Sequence, residues 1–377
     1  MAIKKEEKYV NHEMVILARE SRGLTQNDLA KKLSITQGAL SRIEGGLRGM
    51  TDDSLKKLAQ ELGYPTNFFK QKRPIYGIGL VEVFHRKRQS VGMKTMSKVY
   101  SLIDIRTSEL SRLLKDVVVG DFDIPQINLD DYDGSPKEIA KLVRAKWKLP
   151  HGPIQNLTSS IENARGIVIP FDFETTKIDA ISHWPPGLIP LFFVNKFAQT
   201  DRMRFTLAHE LGHIVMHQDH ATPTVEQEAN DFAAEFLMPE REIRPYLHNI
   251  SIEKLATLKP YWKVSMAALL KRALDLRTIT PRHGRTLWMH LSKAGYKVRE
   301  PMEIDIPEET PALLKEIIQV HTVDMGYSSQ ELAKKLNLFE KELQDTYFDR
   351  ESHIQLLIQE AEGIIKAKSG LLRKLWV

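Results

Sequence analysis

The chain has 377 residues, with 54 Lys or Arg against 49 Asp or Glu, and a formal charge of +5. Its apolar fraction of 42% is typical of a soluble globular protein, and its length favours two or three domains. The absence of cysteine excludes disulfides, thiolate nucleophiles and cysteine-ligated zinc. No apolar run approaches the roughly 18 residues of a membrane helix, and the charged start lacks the apolar core of a secretory signal, so we expect a cytoplasmic protein.

Residues 1–70 are predicted to form an all-α domain. Thr25 is a helix N-cap for Gln26–Leu33, and a three-residue turn separates that helix from Gln37–Glu44. A further capped helix is expected over Asp52–Leu62, ended by a glycine. The short turn between the second and third helices is the spacing of a helix-turn-helix that binds DNA.

Exposed residues at the start of that third helix would face the DNA bases. These residues are Gln37, Gly38, Ser41 and Arg42. Gln and Arg side chains can make paired hydrogen bonds to the edges of adenine and guanine. Gln26 and Arg48 are candidates for phosphate contacts, because helix N-termini and nearby cations attract anions. The alternative is a helical domain that binds another protein.

Residues 71–135 are predicted to be a basic connector followed by a helical linker. Between Lys70 and Lys98 the basic residues face only one acidic residue, Glu82. Such a run is either a solvated loop or a connector that contacts phosphate. A helix is expected over Ser101–Asp116, where leucines and isoleucines recur at helical spacing.

Residues 136–245 are predicted to be a compact core with a few short strands among helices. Apolar runs at 166–170 and 191–194 have strand character. The strand over Leu191–Asn195 is expected to hold a polypeptide substrate as an added strand. Helical spacing predicts four helices, over Pro136–Trp147, Ile154–Ala164, Arg204–His217 and Val225–Met238.

The third of these helices contains the pattern H-E-x-x-H at His209, Glu210 and His213. The two histidines lie one turn apart, so both imidazoles can face one metal ion. Glu210 is offset by roughly 100° around the helix and can reach a metal-bound water. The pattern also fits a helix with two hydrogen-bonded histidines. A helix that is apolar on most sides rarely carries such polar residues without a use for them, so we expect one zinc ion per chain.

A catalytic zinc ion needs a third protein ligand, and the next predicted helix offers two glutamates. Glu226 and Glu228 lie on opposite edges of its apolar face, so periodicity barely separates them. We favour Glu226 because Asn230, four residues on, can steady the ligand or a histidine by a hydrogen bond, and Glu228 stays the alternative. His217 is about 12 Å along the helix from the first histidine, too far to bind the same ion, and is expected to orient a ligand or to pack.

With these residues the chain resembles the ImmA/IrrE family of metallopeptidases, fused to a Cro/repressor-type helix-turn-helix. The peptidase resemblance covers roughly residues 136–240, and the helix-turn-helix resemblance covers 11–70. It implies a zincin-like fold, so the whole chain is expected to be mainly α with a small β-sheet. It also implies His209, His213 and Glu226 as zinc ligands and Glu210 as the catalytic residue.

Family members commonly cleave or inactivate repressor proteins in stress, phage or mobile-element circuits. The resemblance therefore implies a transcriptional regulator that binds operator DNA and a zinc endopeptidase that cuts a repressor-type protein or its own chain. We also expect a homodimer. The chain departs from the common family arrangement because the helix-turn-helix and the peptidase share one polypeptide. The alternative is a transcription factor whose peptidase-like domain senses a ligand or partner without cutting.

Residues 246–377 are predicted to form a helical C-terminal domain without catalytic residues, which would gate the site, dimerise or sense a signal. Within it, Gly326–Asn337 resembles Gly23–Ser34 of the helix-turn-helix. The glutamates that follow the second stretch would repel phosphate if they lay on a recognition helix. We therefore predict a packed helical hairpin there and not a second DNA-reading element.

Overall fold

The computed structural model describes residues 9–72, 91–118, 120, 123–217 and 224–348. The described chain is mainly helical with one three-stranded sheet, which confirms the predicted fold class. Its contacts divide it into two compact units. Unit 1 combines residues 9–72, 92–118 and 315–348, and unit 2 contains the described residues between 119 and 314. None of the described helices is long and apolar enough to cross a membrane.

Unit 1 begins with four short helices: α1 (His12–Ser21), α2 (Gln26–Leu33), α3 (Gln37–Glu44) and α4 (Asp52–Leu62). Helices α2, α3 and α4 begin and end at the residues that the sequence analysis predicted. Thr25 and Asp28 form a reciprocal capping box at the start of α2, and this satisfies N–H groups that the helix leaves free. Gly63 ends α4 with a φ of 68°, a conformation that glycine adopts without steric cost.

Unit 1 continues with α5 (Met93–Leu114), which begins earlier than the predicted Ser101. Its first turns lie in the segment that we predicted to be a connector. Met96 and Val99 are buried there, so the apolar face already starts in the basic segment. The basic cluster from 73 to 90 lies outside the described residues.

Unit 2 contains the sheet, formed by β1 (Ile167–Phe171), β2 (Ala180–His183) and β3 (Leu191–Asn195) in the order β1-β3-β2. β3 pairs in parallel with β1 and antiparallel with β2. Our prediction that β3 holds an added substrate strand is therefore wrong, because both of its edges are already paired. β2 was not predicted, since two of its four residues are polar although all four are buried.

Helices α6 (Pro136–Lys146) and α7 (Leu157–Asn163) precede the sheet, and α8 (Thr200–Met216) and α9 (Val225–Leu237) follow it. α8 and α9 pack closely against each other. Gly212 permits this approach, because a Cβ atom there would lie 3.0 Å from the ring of Phe232. The close packing brings the polar edges of the two helices together.

The helices that end unit 2 are α10 (Glu240–Ile243), α11 (Ile252–Trp262), α12 (Met266–Asp275) and α13 (Pro281–Lys293). Leu255, Leu269 and Leu287 join the same apolar core as Ala208 of α8 and Phe232 of α9. The border that we predicted at residue 245 therefore does not coincide with a border between the units.

Buried ion pairs also join these later helices to the start of α8. Lys259, 1% exposed, donates to Asp201 at 2.6 Å and to Glu300 at 2.7 Å. Arg204 is fully buried and pairs with Glu309. A buried cation between two carboxylates is costly to remove, since the carboxylates lose their compensation.

Replacing Lys259 by Met is expected to lower the free energy of unfolding by about 3–5 kcal/mol, because Asp201 and Glu300 would stay buried without a cation. Lys271→Met is the matched control, since Lys271 forms an exposed pair with Asp275, and its loss should cost about 1 kcal/mol or less. Denaturant unfolding of both variants checks the difference. Equal losses would contradict the structural role of Lys259.

From Lys315 onward the described chain belongs to unit 1. It contains α14 (Leu313–Gln319) except for the first two residues of that helix, a π-helical turn (Val320–Asp324), α15 (Ser329–Leu336) and α16 (Glu340–Tyr347). α15 and α16 are two helices joined by a short turn. The predicted C-terminal domain, 246–377, thus corresponds to neither unit.

Candidate functional site

The two motif histidines lie on α8, one turn apart, at its contact with α9. Their Nε2 atoms are 3.0 Å from each other. His213 is 6% exposed, and the side chain of His209 is 14% exposed. The two histidines lie on neighbouring turns of α8, a helix that is buried along most of its length. Both imidazoles are therefore directed to one point.

The carboxylate of Glu226 on α9 reaches the same point. Its oxygens lie 3.5 Å from Nε2 of His213 and 3.8 Å from Nε2 of His209. The ligand atoms of these three residues all lie within 4.8 Å of one another. Two imidazole nitrogens and a carboxylate oxygen are the donor set of many catalytic zinc sites.

Hydrogen bonds on the far side of each ring determine which nitrogen carries the proton. Glu228 can only accept, so Nε2 of His217, 2.8 Å away, donates to it. Burial lowers the pKa of His217, and its hydrogen bond to Glu228 opposes this effect. A neutral His217 then accepts at Nδ1 from Nδ1 of His213, at 3.0 Å. Nε2 of His213 lies on the other side of the ring and faces Nε2 of His209.

The same reasoning applies to His209. Its Nδ1 lies 3.1 Å from Oδ1 of Asn230, so Nε2 is the ring nitrogen that faces His213. The two Nε2 atoms and the carboxylate of Glu226 thus offer three donor atoms close together. The residues therefore fit a divalent metal ion such as zinc.

The two glutamates that the sequence barely separated have different partners. Glu226 joins His209 and His213, whereas Glu228 contacts His217. Asn230 contacts His209, in the orienting position proposed for it. His220, which the sequence predicts to be a loop residue after α8, lies outside the described residues. The assignment of these residues as metal ligands and orienting groups stays a prediction.

Glu210 is buried, and its carboxylate contacts β2. Its Oε2 accepts from the backbone N–H of Ser182 at 2.9 Å and from the hydroxyl of Ser182 at 2.6 Å. Both of these hydrogen bonds use Oε2. Ser182 was not predicted, because no sequence signal pointed to β2.

A small cavity lies at this group, and a larger cavity adjoins it. The smaller, about 150 Å³, is lined by His209, Glu210 and Glu226. The larger, about 590 Å³, shares Phe205 and Asn230 with the smaller and extends along α8, α9 and α12. A cavity of this size can hold several side chains of a peptide or one small molecule.

The helix-turn-helix of unit 1 presents the predicted DNA-facing residues. Gln37, Gly38, Ser41, Arg42 and Arg48 are exposed, and Gln26 is half-buried. Nε2 of Gln37 donates to Oε1 of Gln26 at 2.7 Å, which joins the start of α3 to the start of α2. The side chains of Gln26 and Gln37 therefore lie on one face of this pair of helices.

A buried ion pair supports that face. Arg19 of α1 donates to Glu44 of α3 at 2.7 Å, and Glu44 also accepts from Gln26 at 2.7 Å. Sequence reasoning missed this pair, since its members are 25 residues apart and each also reads as a surface residue. It joins α3 to α1.

The fold and the site thus define a helix-turn-helix protein with a His/His/Glu centre on two packed helices. Comparison with family models agrees: residues 15–69 match the helix-turn-helix model, and residues 163–274 match the peptidase family described as the IrrE N-terminal-like domain. The chain therefore carries both domains in the predicted order, and the predicted resemblance is confirmed. The peptidase match continues past residue 245 into α12. No curated protein matches the chain.

Proposed function

We propose that the chain is a DNA-binding transcriptional regulator whose unit 2 is a zinc-dependent endopeptidase. Its substrate would be a repressor-type protein, with the helix-turn-helix of the chain itself as one candidate. The observation that carries the peptidase proposal is the pair of imidazole Nε2 atoms, 3.0 Å apart and beside the carboxylate of Glu226, in a domain that matches a peptidase family.

His209, His213 and Glu226 would hold the zinc ion. A bound zinc ion supplies Lewis acidity, which makes water nucleophilic near neutral pH and polarises a carbonyl group. Glu210 would accept a proton from the attacking water at Oε1, because Ser182 occupies Oε2. It would then donate this proton to the leaving amine nitrogen. Ser182 keeps the carboxylate aimed while the proton moves.

Substrate would bind along the outer edge of β2. This strand lies at the edge of the described sheet, and its Ser182 amide faces Glu210 and not β3. Ala180, two residues earlier, lines the smaller cavity beside His209. An extended peptide can add to such an edge by main-chain hydrogen bonds, with its side chains directed into the adjoining cavity.

The test is metal analysis of the purified full chain together with a cleavage assay. One zinc ion per chain is expected, as is cleavage of the chain or of a co-purified repressor, identified by mass spectrometry. Treatment with a chelator should abolish cleavage, and added zinc should restore it. A folded chain that binds no divalent metal would contradict the proposal.

DNA binding provides a second prediction. Gln37→Ala and Arg42→Ala are each expected to weaken binding to a selected operator by about 1–3 kcal/mol, the value of one paired hydrogen bond to a base. Gln60→Ala, on the exposed face of α4, is the control and should leave affinity unchanged. Fluorescence anisotropy at physiological salt measures the three variants. Equal affinities for operator and random DNA would contradict sequence-specific reading.

The larger cavity favours one competing function. About 590 Å³ beside the metal centre suits a small-molecule ligand, so unit 2 could act as a sensor without cutting. A zinc-loaded chain that cleaves neither itself nor a repressor, and whose DNA affinity changes with a small molecule, would favour this alternative.

A further inference from the structure

Residues 315–347 repeat the fold of residues 12–44, with each position shifted by 303. Ser328 and Glu331 form a capping box at the start of α15, as Thr25 and Asp28 do for α2. Each second helix also ends at a left-handed residue: Asn337 has a φ of 57°, and its counterpart in the first copy has a φ of 59°. The two segments therefore share local geometry as well as sequence.

The buried positions match as well. Four positions form the core of both copies: Leu29, Ala30, Leu33 and Leu40 in the first, and Leu332, Ala333, Leu336 and Leu343 in the second. In the first helix, Ala18 corresponds to His321, and both are fully buried. His321 lies in the π-helical turn. The helix-turn-helix model matched only the first copy.

The DNA-reading chemistry is absent from the second copy. Glu340 and Asp345 stand where the first copy has Gln37 and Arg42, and both carboxylates are exposed. Exposed carboxylates on a reading helix repel DNA phosphates. Ser329 replaces Gln26 and is 1% exposed, since its hydroxyl accepts from Gln344 within the copy.

The second copy instead contacts the first. Glu342 of α16 accepts from Arg22, which ends α1, at 2.9 Å. The same guanidinium donates to the carbonyls of Leu62 and Gly63 at the end of α4. Glu342 thus steadies the cation that joins α1 to α4.

α5 lies against both copies and adds a second set of contacts. The hydroxyl of Tyr347 donates to Glu109 at 2.5 Å, and Arg106 donates to both Glu109 and Thr346. Ser97, near the start of α5, donates to Glu20 of α1 at 2.6 Å. Helix α5 therefore provides polar anchors for each copy.

We propose that residues 315–347 are a second helix-turn-helix copy that binds the first copy and α5 and does not read DNA. The chain segment after unit 2 would then complete the DNA-binding unit by holding α1 and α4 beneath the reading helix. Unit 2 would be an insertion between two copies of one fold. Loss of the second copy would weaken DNA binding although no residue that contacts DNA had changed.

Glu342→Lys and Glu340→Lys form a matched pair, since both make the same charge change on α16. Glu342→Lys places a cation beside Arg22, whereas Glu340 is exposed. In the full chain, Glu342→Lys should speed amide exchange in α16 and at the end of α4 by about tenfold and weaken operator binding by a similar factor. Glu340→Lys should leave exchange unchanged. The operator is the duplex that the wild-type full chain selects from a random library.

Three results would overturn the proposal. Rates of amide exchange and a DNA affinity equal to those of the wild type in Glu342→Lys would show that the second copy does not stabilise the first. A changed operator sequence in Glu340→Lys or Asp345→Lys would show that the second copy reads DNA. If Glu342→Lys does not fold, Tyr347→Phe removes only the hydroxyl that meets Glu109, and unchanged exchange in α5 and α16 would count against the proposal. Amide exchange needs neither DNA nor cleavage, so it separates this inference from the proposed function.

Discussion

Replacing Glu210 by Gln is expected to leave zinc bound and to lower the rate of cleavage by about 10²–10⁴-fold, the usual contribution of a general acid–base. An amide keeps the size of the carboxylate and can still accept from Ser182, so the fold around β2 should not change. It cannot take a proton from water at neutral pH. Initial rates of cleavage and zinc content, measured on the same sample, check the two halves of the prediction.

Glu303→Gln is the control for this variant. Glu303 is exposed in unit 2, away from both cavities, so the same chemical change should leave both rate and zinc content at wild-type values. If the Glu210→Gln variant cuts at the wild-type rate, Glu210 takes no part in the reaction. Loss of zinc together with activity would instead indicate that Glu210 helps to hold the metal.

Local signals in the sequence predicted the helices that bear the candidate site. Helix caps and stops, such as Thr25 and Gly63, act within a few residues of the helix end, and α2, α3 and α4 have the predicted bounds. The spacing of His209 and His213 is also a local property, because one turn of a helix brings their imidazoles together.

Features that depend on distant parts of the chain were not predictable in this way. Ser182 contacts Glu210 only because β2 pairs with β3, and nothing in four residues of mixed polarity indicates that pairing. The buried pair of Lys259 with Glu300 joins residues 41 apart, each of which also reads as a surface residue. The border expected at residue 245 stays a prediction, because helical periodicity does not tell which core a helix joins.

The sharpest test of the metal centre compares Glu226→Gln with Glu228→Gln. The two residues are two positions apart on α9, and both variants lose one charge in the first turn of the helix. Glu226 lies 3.5 Å from Nε2 of His213, whereas Glu228 accepts from His217 at 2.8 Å. If Glu226 is the ligand, its loss removes one of three protein donors, and zinc affinity should fall about 10²–10³-fold, since zinc sites in small domains gain roughly 10–16 kcal/mol from four ligands.

Glu228→Gln should have a smaller effect, in the range of about 10–100-fold, because it weakens only the hydrogen-bond chain that orients His213. Competition with a chromophoric chelator measures both affinities without any cleavage assay. The variant that loses more zinc affinity identifies the third zinc ligand. If Glu228→Gln loses more zinc than Glu226→Gln, then Glu228 is the third ligand, and the helix must turn its other edge to the metal once the ion binds.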